Sequence, residues 1–420
     1  MAAQTIVEKI FSRAAGRAVV PGEYLEVAAP GPIVLGTMGR GVRTMRELGL
    51  GVVDPTQIKL VDGHLGVTAS HDSAESRRGT REWAASVGIP AENLIELGRS
   101  GIENMVAVER CWALPGAPYF QGVNGHVSTV GALGAFACAL SYGTAAYLVR
   151  GTTWVKVPRS VKIVASGRTG PGVTPRDVSE VVMYRLGPSG AVGTVLEWTG
   201  EWVDQLSMGE RFGVCSQAIF TGAWTAIMNP DDRTVDYVRA VTDREFEPLV
   251  SDGDAEYART LEIDVAEVEP IVVPPPRRLD VLPVTELVGT PVNWGFVGSE
   301  ANAYIEDLRL VAGVLQGCQL PSGVLLNVTP GTVQVLRQAL EERLIDVLID
   351  AGCVVPPPCA GMEGGWNSPL AAGEVCIATG PANYPGRMGS TEAQIFLASP
   401  LTVAASCLAG EIVDPRTVRS

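Results

Sequence analysis

The chain has 420 residues, of which 46% are hydrophobic and 19% charged, and its formal net charge is −14 at pH 7. This length is enough for two or three domains with full hydrophobic cores, and the composition is that of a folded protein. The negative charge argues against a nucleic-acid partner, because binding to phosphates requires a basic surface. It leaves a small anionic substrate open, since one or two arginines can form a local positive pocket.

The eight cysteines predict buried, mostly reduced thiols rather than a metal framework. None belongs to a Cys-x-x-Cys pair, and the closest two, Cys353 and Cys359, are six positions apart, which is a poor spacing for zinc. The sequence opens without the pattern of a secretory signal peptide. We therefore expect a cytoplasmic protein.

Predicted helices and strands alternate from the start of the chain. The patterns predict an amphipathic helix over residues 5–17, a buried strand over 58–64 and a second helix over 70–89. Ser70 or Asp72 is a suitable residue to cap that second helix. This alternation is typical of a layered α/β protein.

Residues 131–149 form an apolar run of about the ~20 residues that a membrane helix needs. The run is rich in glycine and alanine, and a charged, polar stretch follows it directly. These features predict a buried helix packed closely against a sheet, and no membrane association.

Further along the chain, residues 160–168 and 193–201 alternate with the period of two that is typical of strands. Residues 332–352 predict one amphipathic helix that ends at Gly352. The proline-rich stretch 265–287 contains three consecutive prolines, which fit neither a helix nor the interior of a sheet. We interpret it as a linker.

Domain boundaries follow from that linker. Residues 1–264 are expected to hold two paired α/β domains, and residues 288–420 to form a separate C-terminal α/β domain.

Several stretches, in order along almost the whole chain, carry a family resemblance. They are "GALGAFA", "KVPRSVKIVASGR", "GVTPRDV", "LEWTGEWVDQLSM", "VGSEANAYIEDLRLVAGVL", "AGEVCIATGPANYPGRMGS" and "LASPLTVAASCLAGEIVDPR". The chain resembles the large subunit of the 3-isopropylmalate and homoaconitate dehydratases, in the aconitase superfamily. The resemblance implies three-layer α/β/α domains around a central cleft, without the swivelling domain that donates a serine base from a separate small subunit.

In that family the cleft holds a [4Fe–4S] cluster on three cysteines, and dehydration uses its open iron as a Lewis acid. The resemblance places Glu300 at the first cysteine position and Ala360 and Glu363 at the other two, while Cys359 lies one place early. The sequence therefore predicts no iron–sulfur ligands and no cofactor.

Other positions that are functional in the family differ as well. Asn124 and Gly125 stand in place of an aspartate and a serine, Asn104 in place of a histidine and Phe220 in place of a glutamate. Pro381 and Ala382 replace an Asn-Arg pair. His64, His126 and Arg387 are retained, and the resemblance implies that Arg387 binds a substrate carboxylate.

The candidate site residues follow from this comparison. The predicted catalytic residues are His64, Glu300, Glu363 and His126. The predicted substrate-binding residues are Arg387, Asn104, Asn124, Asn383, Tyr384 and Ser299.

Three roles are open for the pair Glu300 and Glu363. Two nearby buried carboxylates act as a general acid and base, or bind a hard divalent cation such as Mg²⁺, Mn²⁺ or Ca²⁺. In the third alternative they only fill space and pair with arginines such as Arg387 or Arg40.

The leading hypothesis is a cluster-free lyase or isomerase of hydro-lyase type, which uses acid–base chemistry on a small carboxylate-bearing substrate. One alternative is a non-catalytic carboxylate-binding protein or subunit. Another is a dehydratase large subunit that needs a separate small subunit. Partners in these hypotheses are the small subunit or further copies of the chain.

Overall fold

The computed structural model describes residues 2–36, 40–67, 71–122 and 124–418. Thirteen α-helices lie in these ranges: α1 Ile6–Ala15, α2 Arg40–Leu48, α3 His71–Ser86, α4 Glu103–Glu109, α5 Thr144–Arg150, α6 Pro175–Leu186, α7 Glu201–Gln205, α8 Met208–Ser216, α9 Asp232–Val241, α10 Ile305–Leu315, α11 Val333–Glu341, α12 Leu344–Asp350 and α13 Pro400–Ala409.

Seventeen β-strands lie in the same described ranges: β1 Tyr24–Val27, β2 Ile33–Gly36, β3 Ile58–Val61, β4 Leu94–Ile95, β5 Pro118–Gln121, β6 Phe136–Ala139, β7 Thr153–Lys156, β8 Arg159–Ser166, β9 Thr194–Thr199, β10 Thr225–Met228, β11 Arg259–Asp264, β12 Ile271–Val273, β13 Leu282–Pro283, β14 Trp294–Val297, β15 Leu325–Val328, β16 Val375–Ala378 and β17 Gln394–Ala398.

These strands form three largely parallel sheets and one small antiparallel ribbon. The first sheet has the parallel order β4-β3-β2-β5-β6, and the second has the parallel order β10-β9-β8-β11. The third has the order β13-β12-β17-β16-β14-β15, in which β12 runs antiparallel to both of its neighbours. Strands β1 and β7 form the ribbon. Helices flank the sheets, as the predicted α/β class requires.

Capping residues explain why the helix predicted at the start of the chain forms where the sequence indicates. Thr5 accepts a hydrogen bond from the backbone of Glu8, and the Glu8 carboxylate accepts one from the backbone of Thr5 in return. The helix ends at Gly16, whose φ of 65° is the left-handed conformation that glycine adopts easily. In α3, Asp72 lies in the first turn, and the other predicted cap, Ser70, lies outside the described residues.

The single buried helix predicted for residues 131–149 is wrong. The run contains the end of a 3₁₀ helix, then β6, and then the start of the short helix α5. Gly131 packs against the backbone of Ala226, where a Cβ atom would lie 1.8 Å from the carbonyl oxygen, so the small residues of this run serve close packing. No helix in the described part of the chain is both long and apolar enough to cross a membrane.

The helix predicted over residues 332–352 is divided into α11 and α12. Arg343 separates them with a φ of 59°, which interrupts the right-handed helix. Glu342, the residue before this break, forms a two-pronged ion pair with Arg309 on α10. The ion pair between Glu342 and Arg309 thus lies beside the helix break. The apolar periodicity of the sequence gives no sign of this break.

The stretch 265–287 differs from the predicted linker because part of it belongs to the third sheet. Val272 and Val273 of β12 pair with β17, and Leu282 and Pro283 form the edge strand β13. A proline is tolerated in an edge strand because no neighbour needs its missing N–H group. The division into domains at 1–264 and 288–420 stays a prediction.

Candidate active site

The predicted site residues converge at the carboxyl ends of parallel strands from the first and third sheets. His64 follows β3, Asn124 and His126 follow β5, and Glu300 follows β14. Arg387 lies in the long loop after β16. Loops at the carboxyl ends of parallel strands form a shared crevice, which is the usual position of ligand sites in α/β proteins.

The centre of this crevice contains His64, Glu300 and Glu363. Each of the three offers one nitrogen or oxygen atom, and these atoms all lie within 4.8 Å of one another. His64 Nε2 is 3.6 Å from Glu300 Oε1. The side chains of Glu300 and Glu363 are only 3% exposed, so water screens their charges poorly.

The two glutamates have opposite pKa shifts. Burial and the carboxylate of Glu300 raise the pKa of Glu363 well above its usual range. Burial also opposes the charge of Glu300, but the neighbouring His126, a hydrogen bond with Glu363 and His64 together lower its pKa. The pair therefore favours one ionised and one protonated carboxyl group.

Each carboxyl group of the pair uses only one oxygen for bonds to the rest of the described chain. Asn124 Nδ2 donates to Glu300 Oε1 at 3.1 Å, and Arg387 Nη2 donates to Glu363 Oε1 at 3.1 Å. Among the described residues, the Oε2 atoms of both glutamates and Nδ1 of His64 have no such partner. Buried polar atoms without partners are rare, and they indicate a ligand or proton that belongs there.

Arg387 connects the buried pair with the outside of the crevice. Its side chain is 23% exposed, and its Nη1 donates to the hydroxyl of Tyr384 at 3.4 Å. Burial opposes the guanidinium charge, but the carboxylate of Glu363 outweighs this effect and raises the pKa of Arg387. A planar guanidinium in this position is suited to hold a carboxylate from solution.

The loop that carries Glu363 is attached to the loop of His64. The backbone N–H of Ala360 donates to the carbonyl of His64 at 2.8 Å, and the ring of Trp366 packs edge-on against the His64 ring. Gly66 lies so close to Cys359 that a Cβ atom there would be 2.7 Å from the sulfur. These contacts fix the loops of His64 and Glu363 to each other.

Glu103 is a site residue that the sequence reasoning missed. It begins α4, is 2% exposed, and lies where a Cβ atom on Gly36 would be 2.5 Å from its Oε2. Burial raises its pKa, with His64 opposing and Glu300 adding to that rise, and it shares hydrogen bonds with Asn124. The available signal was an acidic residue at a helix start after the glycines of residues 98–101, and this pattern alone does not reveal that the side chain is buried.

His126 lies beside the centre but uses its ring for structural contacts. Its Nδ1 is 2.9 Å from both the carbonyl oxygen and the hydroxyl of Ser216, and its ring packs edge-on against Phe220. Its backbone N–H donates to the side chain of Asn124, which itself donates to Glu300. Burial lowers the pKa of His126, and the carboxylate of Glu300 opposes this effect.

Three predicted substrate-binding residues have side chains that contact the protein rather than the crevice. Asn104 Nδ2 donates to Thr129, and Asn383 Nδ2 donates to the carbonyl of Pro274, each at 2.9 Å. Ser299 donates to the carbonyl of Thr379. Asn124, Tyr384 and Arg387 are thus the predicted binding residues that the described structure joins to the centre; the side chain of Arg40, the other predicted partner of the glutamates, lies outside it.

Comparisons with known proteins give the family. The sequence profile of the aconitase family (aconitate hydratase) matches residues 73–291 and 278–410. The chain belongs to the aconitase family. It is 36% identical to the 3-isopropylmalate dehydratase large subunit 1 of Methanopyrus kandleri, over 98% of this chain and 99% of that protein.

Other aconitase-family relatives match over similar lengths. The 3-isopropylmalate dehydratase large subunit of Halothermothrix orenii is 36% identical over 99% of both chains, and large subunit 1 of Pyrococcus furiosus is 34% identical over the whole of both. The crystal structure of aconitase X from Thermococcus kodakaraensis aligns with 90% of the chain at 10% identity and a TM-score of 0.47, too distant to add to this assignment.

Family membership contradicts the expectation that the protein has no cofactor. Large subunits of 3-isopropylmalate dehydratases normally bind a [4Fe–4S] cluster, and this chain contains eight cysteines. For a member of this family, a cofactor in the crevice is the rule. The donor atoms of the side chains around the crevice determine which kind of cofactor fits there.

The donor atoms that the structure describes in the crevice do not fit a cluster held by three thiolates. In the described ranges, the one group of three histidine, cysteine or acidic side chains close enough to share a metal is His64, Glu300 and Glu363. Cys359 lies in the loop of Glu363, but its sulfur accepts hydrogen bonds from Gly361 and Asn367, and burial raises the pKa of its thiol. These donors are one imidazole and two carboxylates, a set suited to a single metal ion.

Proposed function

We propose that this aconitase-family chain is the large subunit of a hydro-lyase that removes water from, or adds water to, a small carboxylate-bearing substrate. Its relatives named as 3-isopropylmalate dehydratase large subunits match it from end to end. The proposal is supported by a crevice that combines a carboxylate-binding arginine with a buried polar centre.

The observation that carries the proposal is the contact between Arg387 and Glu363. The guanidinium is partly exposed on one side and bonded to a buried carboxylate on the other. A substrate carboxylate held by the outer side of Arg387, with Tyr384 beside it, would place the neighbouring carbon atoms next to the His64–Glu300–Glu363 centre. Such fixed placement contributes a large part of enzymatic rate enhancement.

The reaction that this placement suits is the loss of water from a hydroxy acid. A proton leaves the carbon next to the substrate carboxylate, the C–O bond of the adjacent hydroxyl breaks, and the hydroxyl leaves with a second proton as water. In this arrangement the departing hydroxyl lies beside His64, Glu300 and Glu363. These groups supply the proton, or another positive charge, that assists its departure. In its simplest form this charge is the proton shared by the two glutamates, acting as a general acid.

His126 and Asn124 contribute by holding the centre in place. Asn124 is fixed by the backbone of His126 and donates to Glu300, so it holds the orientation of that carboxylate. We assign the base that removes the carbon-bound proton to a separate small subunit, because the relatives are named as large subunits.

A substrate panel tests this function. The chain is produced alone and together with a small subunit from the same genome, and both preparations are assayed with hydroxy and unsaturated di- and tricarboxylates. We expect turnover only in the presence of the small subunit, and a loss of at least about a hundredfold in kcat for Glu363→Ala. Failure of both preparations to convert any carboxylate of the panel would contradict the proposal and favour a non-catalytic carboxylate-binding protein.

A further inference from the structure

The centre of the crevice has the geometry of an incomplete metal site. The donor atoms of His64, Glu300 and Glu363 lie within 4.8 Å of one another and come from three separate loops. Donor atoms that share one ion approach it to about 2.0–2.2 Å, so they lie within about 4 Å of one another when the ion is bound. An acidic cluster alone would not be evidence for an ion.

A second observation concerns the oxygens that the described chain leaves without partners. Glu300 and Glu363 are 3% and 2% exposed, and apart from the hydrogen bond that the two carboxyl groups share, Oε2 of each lacks a partner among the described residues. Leaving a buried acceptor unsatisfied costs about 1–3 kcal/mol, and more for a charged group. A shared proton joins only the two carboxyl groups, whereas one cation can contact both of them and His64.

The charges around the centre also favour a cation. Among the described residues, the one arginine or lysine that forms an ion pair with either carboxylate is Arg387, and it contacts Glu363. Glu103 adds a third buried carboxyl group nearby. A divalent ion between the two glutamates would displace the proton that they share, and the two ionised carboxylates would then balance its charge.

The type of donor indicates the type of ion. Carboxylates alone suit Mg²⁺ and Ca²⁺, but an imidazole nitrogen favours first-row transition ions such as Mn²⁺, Fe²⁺ and Zn²⁺. Three protein donors leave coordination positions open for water or substrate, as in catalytic metal sites. We propose that His64, Glu300 and Glu363 bind one divalent first-row transition-metal ion.

This inference shares its site with the proposed function and rests on it only for the role of the ion. The ion would take the place of the shared proton and polarise the departing hydroxyl, which leaves as water as before. Metal binding can be measured without substrate, so the two proposals fail separately. Metal binding without turnover contradicts the function, and turnover without metal binding contradicts the site.

The experiment uses the full chain, stripped with a chelator and titrated with Mn²⁺ alone. We expect one Mn²⁺ per chain by calorimetry and by loss of the free-ion electron paramagnetic resonance signal. Glu300→Gln and Glu363→Gln are each expected to weaken binding at least tenfold. Glu109→Gln removes a carboxylate on α4 outside this group and is the matched control, with unchanged affinity expected.

Spectroscopy keeps the test valid should a glutamate variant fail to fold. Bound Mn²⁺ should show magnetic coupling to one imidazole nitrogen, and His64→Gln should remove that coupling. The proposal is overturned by an absence of stoichiometric binding, or by Mn²⁺ affinity that Glu300→Gln and Glu363→Gln leave unchanged. Iron together with acid-labile sulfide in anaerobically purified protein would overturn it as well.

Discussion

At the residue scale, the positions that carry the site were largely readable from the sequence, but the directions of their side chains were not. His64 and Glu300 follow the ends of β3 and β14, and the loop of Glu363 and the loop of Arg387 complete the candidate site beside them. Asn104 and Asn383 occupy the expected positions but bond to the protein, since side-chain direction depends on packing. Glu103 escaped prediction because its burial depends on Gly36, more than sixty residues earlier.

Arg387 carries the first prediction. Arg387→Lys keeps the charge but loses the planar fork that holds a carboxylate with two bonds, so we expect KM to rise about 10- to 100-fold. Steady-state kinetics on the active substrate of the panel measures this effect. Arg309→Lys is the control, because Arg309 forms a surface ion pair with Glu342, and its KM should stay at the wild-type value. An unchanged KM for Arg387→Lys would remove Arg387 from the binding site.

Glu103 allows a prediction about pH. Burial raises its pKa, so the native state keeps a proton that the unfolded chain releases as pH rises above about 4. Native Glu103 therefore costs stability at higher pH, and the neutral isostere in Glu103→Gln avoids that cost. Thermal melts should show equal stability of the two proteins at pH 4 and greater stability of the variant at pH 8. A variant that is less stable than wild type at pH 8 would show that Glu103 is ionised in the native protein.

At the scale of elements, tertiary contacts decide where helices begin and end. Helix α10 has Glu306 and Asp307 in its first turn, and acidic residues favour a helix start because they complement the helix dipole. The break at Arg343 was not readable from the sequence, because the apolar periodicity continues across it. Helix caps can be predicted from neighbouring residues in the sequence. An interruption of a helix that accompanies packing against another helix depends on residues that are distant in the sequence.

Asn302 connects two elements next to the site. Its Oδ1 accepts from buried Arg176 on α6 at 2.6 Å, and its Nδ2 donates to Asp307 on α10 at 3.1 Å. Asn302→Ala would leave both groups short of a partner, and we expect a loss of about 2–3 kcal/mol in the free energy of unfolding. Denaturant unfolding measures it, with Gln334→Ala, an exposed change on α11, as a control within about 0.5 kcal/mol of wild type. A loss of stability no larger than that of the control would show that the hydrogen bonds of Asn302 to Arg176 and Asp307 do not stabilise the fold.

At the scale of the whole molecule, several buried carboxyl groups make stability depend on pH. Burial raises the pKa of both Glu109 and Asp307 to about 7, whereas the unfolded groups titrate near 4. Between these values the native state binds more protons than the unfolded state, so stability falls as pH rises. The net charge of −14 adds repulsion in the same direction.

Other carboxylates set the acidic limit of this behaviour. The hydrogen bond from Arg416 lowers the pKa of Asp414, so the stability that this pair contributes is present above the unfolded value near 4 and is lost as pH falls further. The two opposing groups of carboxyls place the maximum of stability near their common unfolded value of about 4.

The melting temperature should therefore decrease between pH 5 and pH 8, by at least about 3 °C for a chain of this size. Glu109→Gln keeps an acceptor for the hydroxyl of Thr332 but cannot titrate, so it should flatten this decrease while leaving the melting temperature at about pH 4 close to wild type. Calorimetric melts of both proteins at four pH values measure the two slopes. A melting temperature that rises towards pH 8, or equal slopes for both proteins, would show that these carboxyl groups are ionised in the folded chain.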